Sequence, residues 1–99
     1  MTDDLDILKA KLNQETAKAD WRELQPFFAR GQTVAVDPSL DLIEVAVSFS
    51  RDDASQIGQW KDAGLVDKVS DAQAAQWFDN TQALWTLVVM PWVLVQPCP

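Results

Sequence analysis

Met1, Leu5, Leu8 and Leu12 recur at spacings of four, three and four, the repeat of one face of an α-helix. They predict a helix from about Asp3 to Asn13, with Asp3, Asp4 and Asp6 near its positive N-terminal end. A second apolar face, Trp21, Leu24 and Phe28, follows Asp20, which stands three residues before Glu23 as in a capping box, and Gly31 supplies the stop. Pro26 lies inside that stretch, where it removes a hydrogen bond and crowds the carbonyl of Arg22, so a kink or a short helix is expected.

Thr33-Val34-Ala35-Val36 reads as a brief strand, and Asp37-Pro38 reads as the N-cap and first-turn proline of a new helix. The stretch from Ile43 to Phe49 fits two periods. Leu42, Val45, Ala46 and Phe49 share a helical face, whereas Ile43, Val45, Val47 and Phe49 alternate with smaller or polar residues as a half-buried strand does. The preceding cap favours helix. Asp53 with Gln56 opens another helix through Ile57 and Trp60, ended at Gly64, and Ser70 with Gln73 opens one from Asp71 to Phe78.

From Leu84 to Gln96 the chain is β-prone and apolar on both faces, which predicts a strand covered on both sides, with Pro91 at a bulge, bend or edge. The elements together predict an α+β fold in which four or five short helices pack on a small antiparallel sheet. No repeat, low-complexity tract or linker interrupts residues 1–99, which are read as a single domain.

Composition narrows the chemistry. The 99 residues carry 8 Lys+Arg against 15 Asp+Glu, a net charge of −7, with no His, no Tyr, 5 Trp and 1 Cys. At this length roughly two-thirds of the unfolded surface can be buried, enough for one modest core. Without His, no catalytic triad or zinc signature that needs imidazole is available. The acidic balance opposes binding to phosphate backbones and anionic membranes. Cys98 has no partner for an internal disulfide, and the acidic start lacks the basic and apolar stretches of a secretory signal. The apolar run from Leu84 to Val95 falls short of the roughly 20 residues that cross a bilayer. A cytoplasmic location is expected.

Two groups of residues are candidates for function. Trp85, Pro91, Trp92 and Val95 form a candidate interaction surface, for a partner protein or for a second copy of the chain, if the C-terminal strand has one face uncovered. The alternative is that the helices carrying Trp21 and Trp77 cover that face. Asp41, Glu44, Asp52 and Asp53 form a candidate acidic cluster for a divalent cation or for acid-base chemistry. Their spacing lacks the pattern of a calcium loop, and capping accounts for Asp53 without any chemistry. Gly31 and Gly64 read as helix stops, and none of the three glycines belongs to a phosphate-cradling loop. No cofactor or metal is implied.

Glu44-Val45-Ala46, followed by Ile57, Trp60 and Gly64-Leu65-Val66, resembles the helix-turn-helix portion of mercury-resistance-type regulators. That resemblance implies a helix-turn-helix shape. DNA reading is not expected, because Asp52 and Asp53 would begin the reading helix beside phosphates and only Arg51, Lys61 and Lys68 are positive there.

A longer resemblance rests on Glu15-Thr16-Ala17, Trp21-Arg22-Glu23-Leu24, Phe27-Phe28-Ala29-Arg30-Gly31, Leu40-Asp41-Leu42, Val45-Ala46, Asp52-Asp53, Trp60 and the ending Val88 to Gln96. In these residues the chain resembles the bacterial domain of unknown function family 2288. The family implies fold and a cytoplasmic bacterial origin, and it brings no activity, cofactor or catalytic residue. The expected function is a small interaction or adaptor domain without catalysis. The alternative is a carboxylate-based small-ligand or metal-binding protein or enzyme.

Overall fold

The computed structural model describes residues 4–98, so Met1 and Asp3 of the first predicted helix lie outside the described residues. Five α-helices are present: α1 (Asp4–Glu15), α2 (Gln25–Ala29), α3 (Leu42–Ser50), α4 (Ala54–Asp62) and α5 (Asp71–Asp79). Five strands, β1 (Ala17–Asp20), β2 (Thr33–Val36), β3 (Val66–Lys68), β4 (Ala83–Val89) and β5 (Trp92–Pro97), form one sheet in the order β1-β4-β5-β2-β3. The fold is α+β. The sheet is mixed where an antiparallel one was expected, because β2 runs parallel to β5 while every other neighbouring pair is antiparallel.

The C-terminal run, read from sequence as one strand, is a hairpin. β4 and β5 pair from Leu84↔Pro97 to Val89↔Trp92, and Met90-Pro91, joined by a cis peptide bond, make the two-residue turn. Pro91 marks a bend, and turn residues without Gly or Asn keep the run from reading as a hairpin. The run is covered on both sides as predicted. On one face Leu87 and Leu94 meet Leu12, Leu42, Val45 and Ala46 of α1 and α3. On the other, Leu84, Val93 and Val95 meet Trp21, Leu24 and Trp77. Trp21 is fully buried, edge-on to Phe28 at 5.3 Å and to Trp77 at 5.2 Å. Its indole N–H has no hydrogen-bond acceptor among the described residues.

Pro26 is accommodated by a break. Trp21–Leu24 form a 3-10 turn capped by Asp20, whose carboxylate accepts from the Arg22 N–H at 2.9 Å, and a new helix then begins with Pro26 in its first turn, where no hydrogen bond is lost. Asp37-Pro38 is not a helix start. The Asp37 N–H donates to the Leu65 carbonyl at 2.8 Å, extending the β2–β3 pairing, and the cap of α3 is Asp41, which accepts from the Ile43 N–H at 2.9 Å. Residues 43–49 are helical, as the sequence favoured. Asp53 caps α4, and Ser70 with Gln73 forms a reciprocal capping box on α5.

The outer strands are short. β3 shows Asp67 and Lys68 to solvent, charges that discourage further strand pairing at that edge.

Candidate functional site

α3 and α4 form a helix-turn-helix joined by Arg51-Asp52-Asp53, with Asp52 in left-handed backbone at φ 52°. The turn is held from both sides, since the Asp53 N–H donates to the Ser48 carbonyl at 2.9 Å and the Asp53 carboxylate accepts from the Gln56 N–H at 3.1 Å. The hairpin turn reaches the same end of the helix pair. Between them lies a groove of about 400 Å³.

Each element contributes a different part of that groove. α3 supplies Phe49, the interhelical turn supplies Asp52, and α4 supplies Ala54, Ile57 and Gly58, which follow helical spacing on one face. The hairpin supplies Met90, Pro91 and Trp92. Met90 is 83% exposed, the most exposed of the large apolar side chains among the described residues. Trp92 is half-buried against the α1/α3 core, with the Lys68 ammonium 5.7 Å from its ring centroid. Phe49 packs partly against the same core. Within the lining only Asp52 is charged, and its carboxylate has no hydrogen-bond or ion-pair partner among the described residues.

The residues singled out from sequence do not share one surface. Pro91 and Trp92 line the groove. Trp85, on the same sheet face as Trp92, lies near the opposite end of β4, where the Lys18 ammonium sits 4.9 Å from its ring centroid. Val95 points to the other face and is fully buried in the Trp21/Trp77 cluster. The face that could have invited a second copy is occupied over much of its length by the 3-10 turn, α2 and α5, with Val88, opposite Val93 near the hairpin end, left 47% exposed.

The four carboxylates are likewise dispersed. Asp41 caps α3 and Glu44 stands in its first turn, and Asp52 and Asp53 follow its last. Glu44 receives the Lys9 ammonium at 2.7 Å, an exposed ion pair that fastens α1 to α3 and raises the Lys9 pKa, chiefly through that hydrogen bond. Asp41 and Asp53 are engaged as caps. No group of three or more metal-ligating side chains converges among the described residues. Asp52 is the member of the cluster that enters the groove.

Sequence reasoning missed Phe49, Ile57, Gly58 and Met90. Gly58 carried a signal: it is a glycine in a helix interior, and it is not a stop. A Cβ built on it meets nothing within 4 Å.

Residues 7–97 match the family described as protein of unknown function (DUF2288). The NMR solution structure of PA1075 from Pseudomonas aeruginosa is similar over 100% of this chain and 92% of that one, with 42% sequence identity and a TM-score of 0.83. No curated protein matches the chain.

Proposed function

The chain belongs to this family of proteins of unknown function, and we propose that it is a small protein-docking module without catalysis, whose docking site is the groove between the hairpin turn and α4. The observation that carries the reading is Met90, a large apolar residue 83% exposed at the lip of a groove that is otherwise apolar but for Asp52. A protein that leaves such a residue in water loses apolar burial unless something covers it. The remaining carboxylates support a non-catalytic reading, since Asp41 and Asp53 hold helix ends and Glu44 holds Lys9. The acidic charge and single cysteine support work in a bacterial cytoplasm.

Affinity capture tests the reading with wild type beside Met90→Asp. Met90 packs little of its surface on the fold, so the variant folds and melts like wild type. The expected result is a specific protein retained by wild type and lost by the variant. Equal recovery by both would remove the groove from consideration.

A further inference from the structure

We infer that the occupant of the groove is a basic amphipathic helix of another protein, laid against α4 with its apolar side under Met90 and a Lys or Arg at Asp52. This rests on the docking reading above and names the partner class.

Two residues lining the groove carry the inference. Gly58 stands in the interior of α4, where glycine is a poorer helix former than alanine. No left-handed backbone requires it and no neighbour would be struck by a Cβ. Ala54 precedes it by four residues on the same face, so beside Ile57 the floor of the groove carries two of the smallest residues. Small residues there let an approaching element come close to α4. A second helix does so at axis separations of about 8–10 Å, the near end of that range being reached over small residues.

Asp52 is the second. Its φ of 52° is one that Asp tolerates in a turn, and its exposed carboxylate pairs with nothing among the described residues, so it is free to meet an occupant. Arg51 precedes it in the turn, Lys61 lies farther along α4, and Lys68 is held over Trp92, but none of the three lines the groove. The charge an occupant meets inside is therefore negative. A second copy of the chain is a poor candidate, since each copy carries −7. A cationic helix relieves both the unpaired carboxylate and the acidic field.

The test is an NMR titration of the isotopically labelled full chain with three synthetic helical peptides. They share one leucine face and carry Lys, Gln or Glu on the other. The Lys peptide is expected to shift the amide signals of Ala54, Ile57, Gly58 and Trp92 and to bind about tenfold more tightly than the Glu peptide, the effect of one charge-assisted contact. Asp52→Asn should reduce that preference, and Gly58→Leu should remain folded and lose binding as its side chain fills the floor. Equal binding of the Glu or Gln peptide in the groove would overturn the charge assignment and leave the docking reading standing. Absence of shifts at the groove with the Lys peptide would also overturn the inference, while loss of the captured partner in Met90→Asp judges the docking reading separately.

Discussion

The side-chain amide of Gln96 donates to the carbonyl of Leu40 at 2.7 Å and to that of Asp37 at 3.0 Å. The end of β5 thereby holds the turn from which α3 starts, and α3 in turn fixes one wall of the groove. Gln96 is 9% exposed, whereas Asp37 and Leu40 are half-buried. Gln96→Leu takes the side-chain donor from the Leu40 carbonyl, whereas the Asp37 carbonyl keeps the Leu40 N–H at 3.0 Å, and the expected loss is about 1–3 kcal/mol, the cost of one unpaired polar group. Urea unfolding checks it. A loss well below that range would mean that water replaces the amide.

The Lys9–Glu44 pair contributes in a different way. Because Glu44 raises the Lys9 pKa above its ordinary 10.5, the folded state holds this proton more tightly than the unfolded chain does. The contribution is full below pH 10.5 and is lost as pH rises through the raised value. Both side chains are substantially exposed, so the effect is small and screened. Melting of wild type and Lys9→Met should differ slightly at neutral pH and low salt, and the difference should vanish in strongly alkaline buffer or at about 1 M salt.

Divalent cations are expected to leave the melting midpoint unchanged. Asp41 and Asp53 are committed to backbone N–H groups and Glu44 to Lys9, so no shared oxygen cage remains. Thermal melts with and without sub-millimolar Mg²⁺, Ca²⁺ and Mn²⁺ check this, since a ligand that binds only the folded state raises the midpoint. A rise of several degrees would restore the carboxylate reading.

Gly58→Ala should make the protein more stable and the groove poorer. The substitution is expected to add about 0.5–1 kcal/mol, because Ala is the better helix former and its Cβ enters open space. Denaturant midpoints measure the gain. A destabilised variant would mean that the glycine serves the fold and not the site.

Much of the fold was legible because local chemistry and burial agreed. The Leu5-Leu8-Leu12 stripe, the Asp53 cap and the Ser70-Gln73 box each marked a helix that is present. What escaped was imposed from a distance. Ala17-Lys18-Ala19-Asp20 has no β-branched residue and is a strand only because β4 pairs with it. Val66-Asp67-Lys68 is a strand because β2 pairs with it. Pro38 makes Asp37 read as a cap, yet the Asp37 N–H donates to the Leu65 carbonyl, a partner the sequence cannot name. The site was half legible for the same reason. Pro91 and Trp92 were conspicuous, whereas Ile57 and Gly58 matter only once the hairpin turn is seen beside α4.

Site-specific photocross-linking in living cells decides whether a partner seats in the groove at the hairpin turn. A photoreactive amino acid replaces Met90 in one strain and Asp79, an exposed residue at the end of α5, in another. A discrete protein adduct at position 90 that is absent at position 79 is the predicted result. Adducts of equal yield at both positions, or none at position 90, would contradict it.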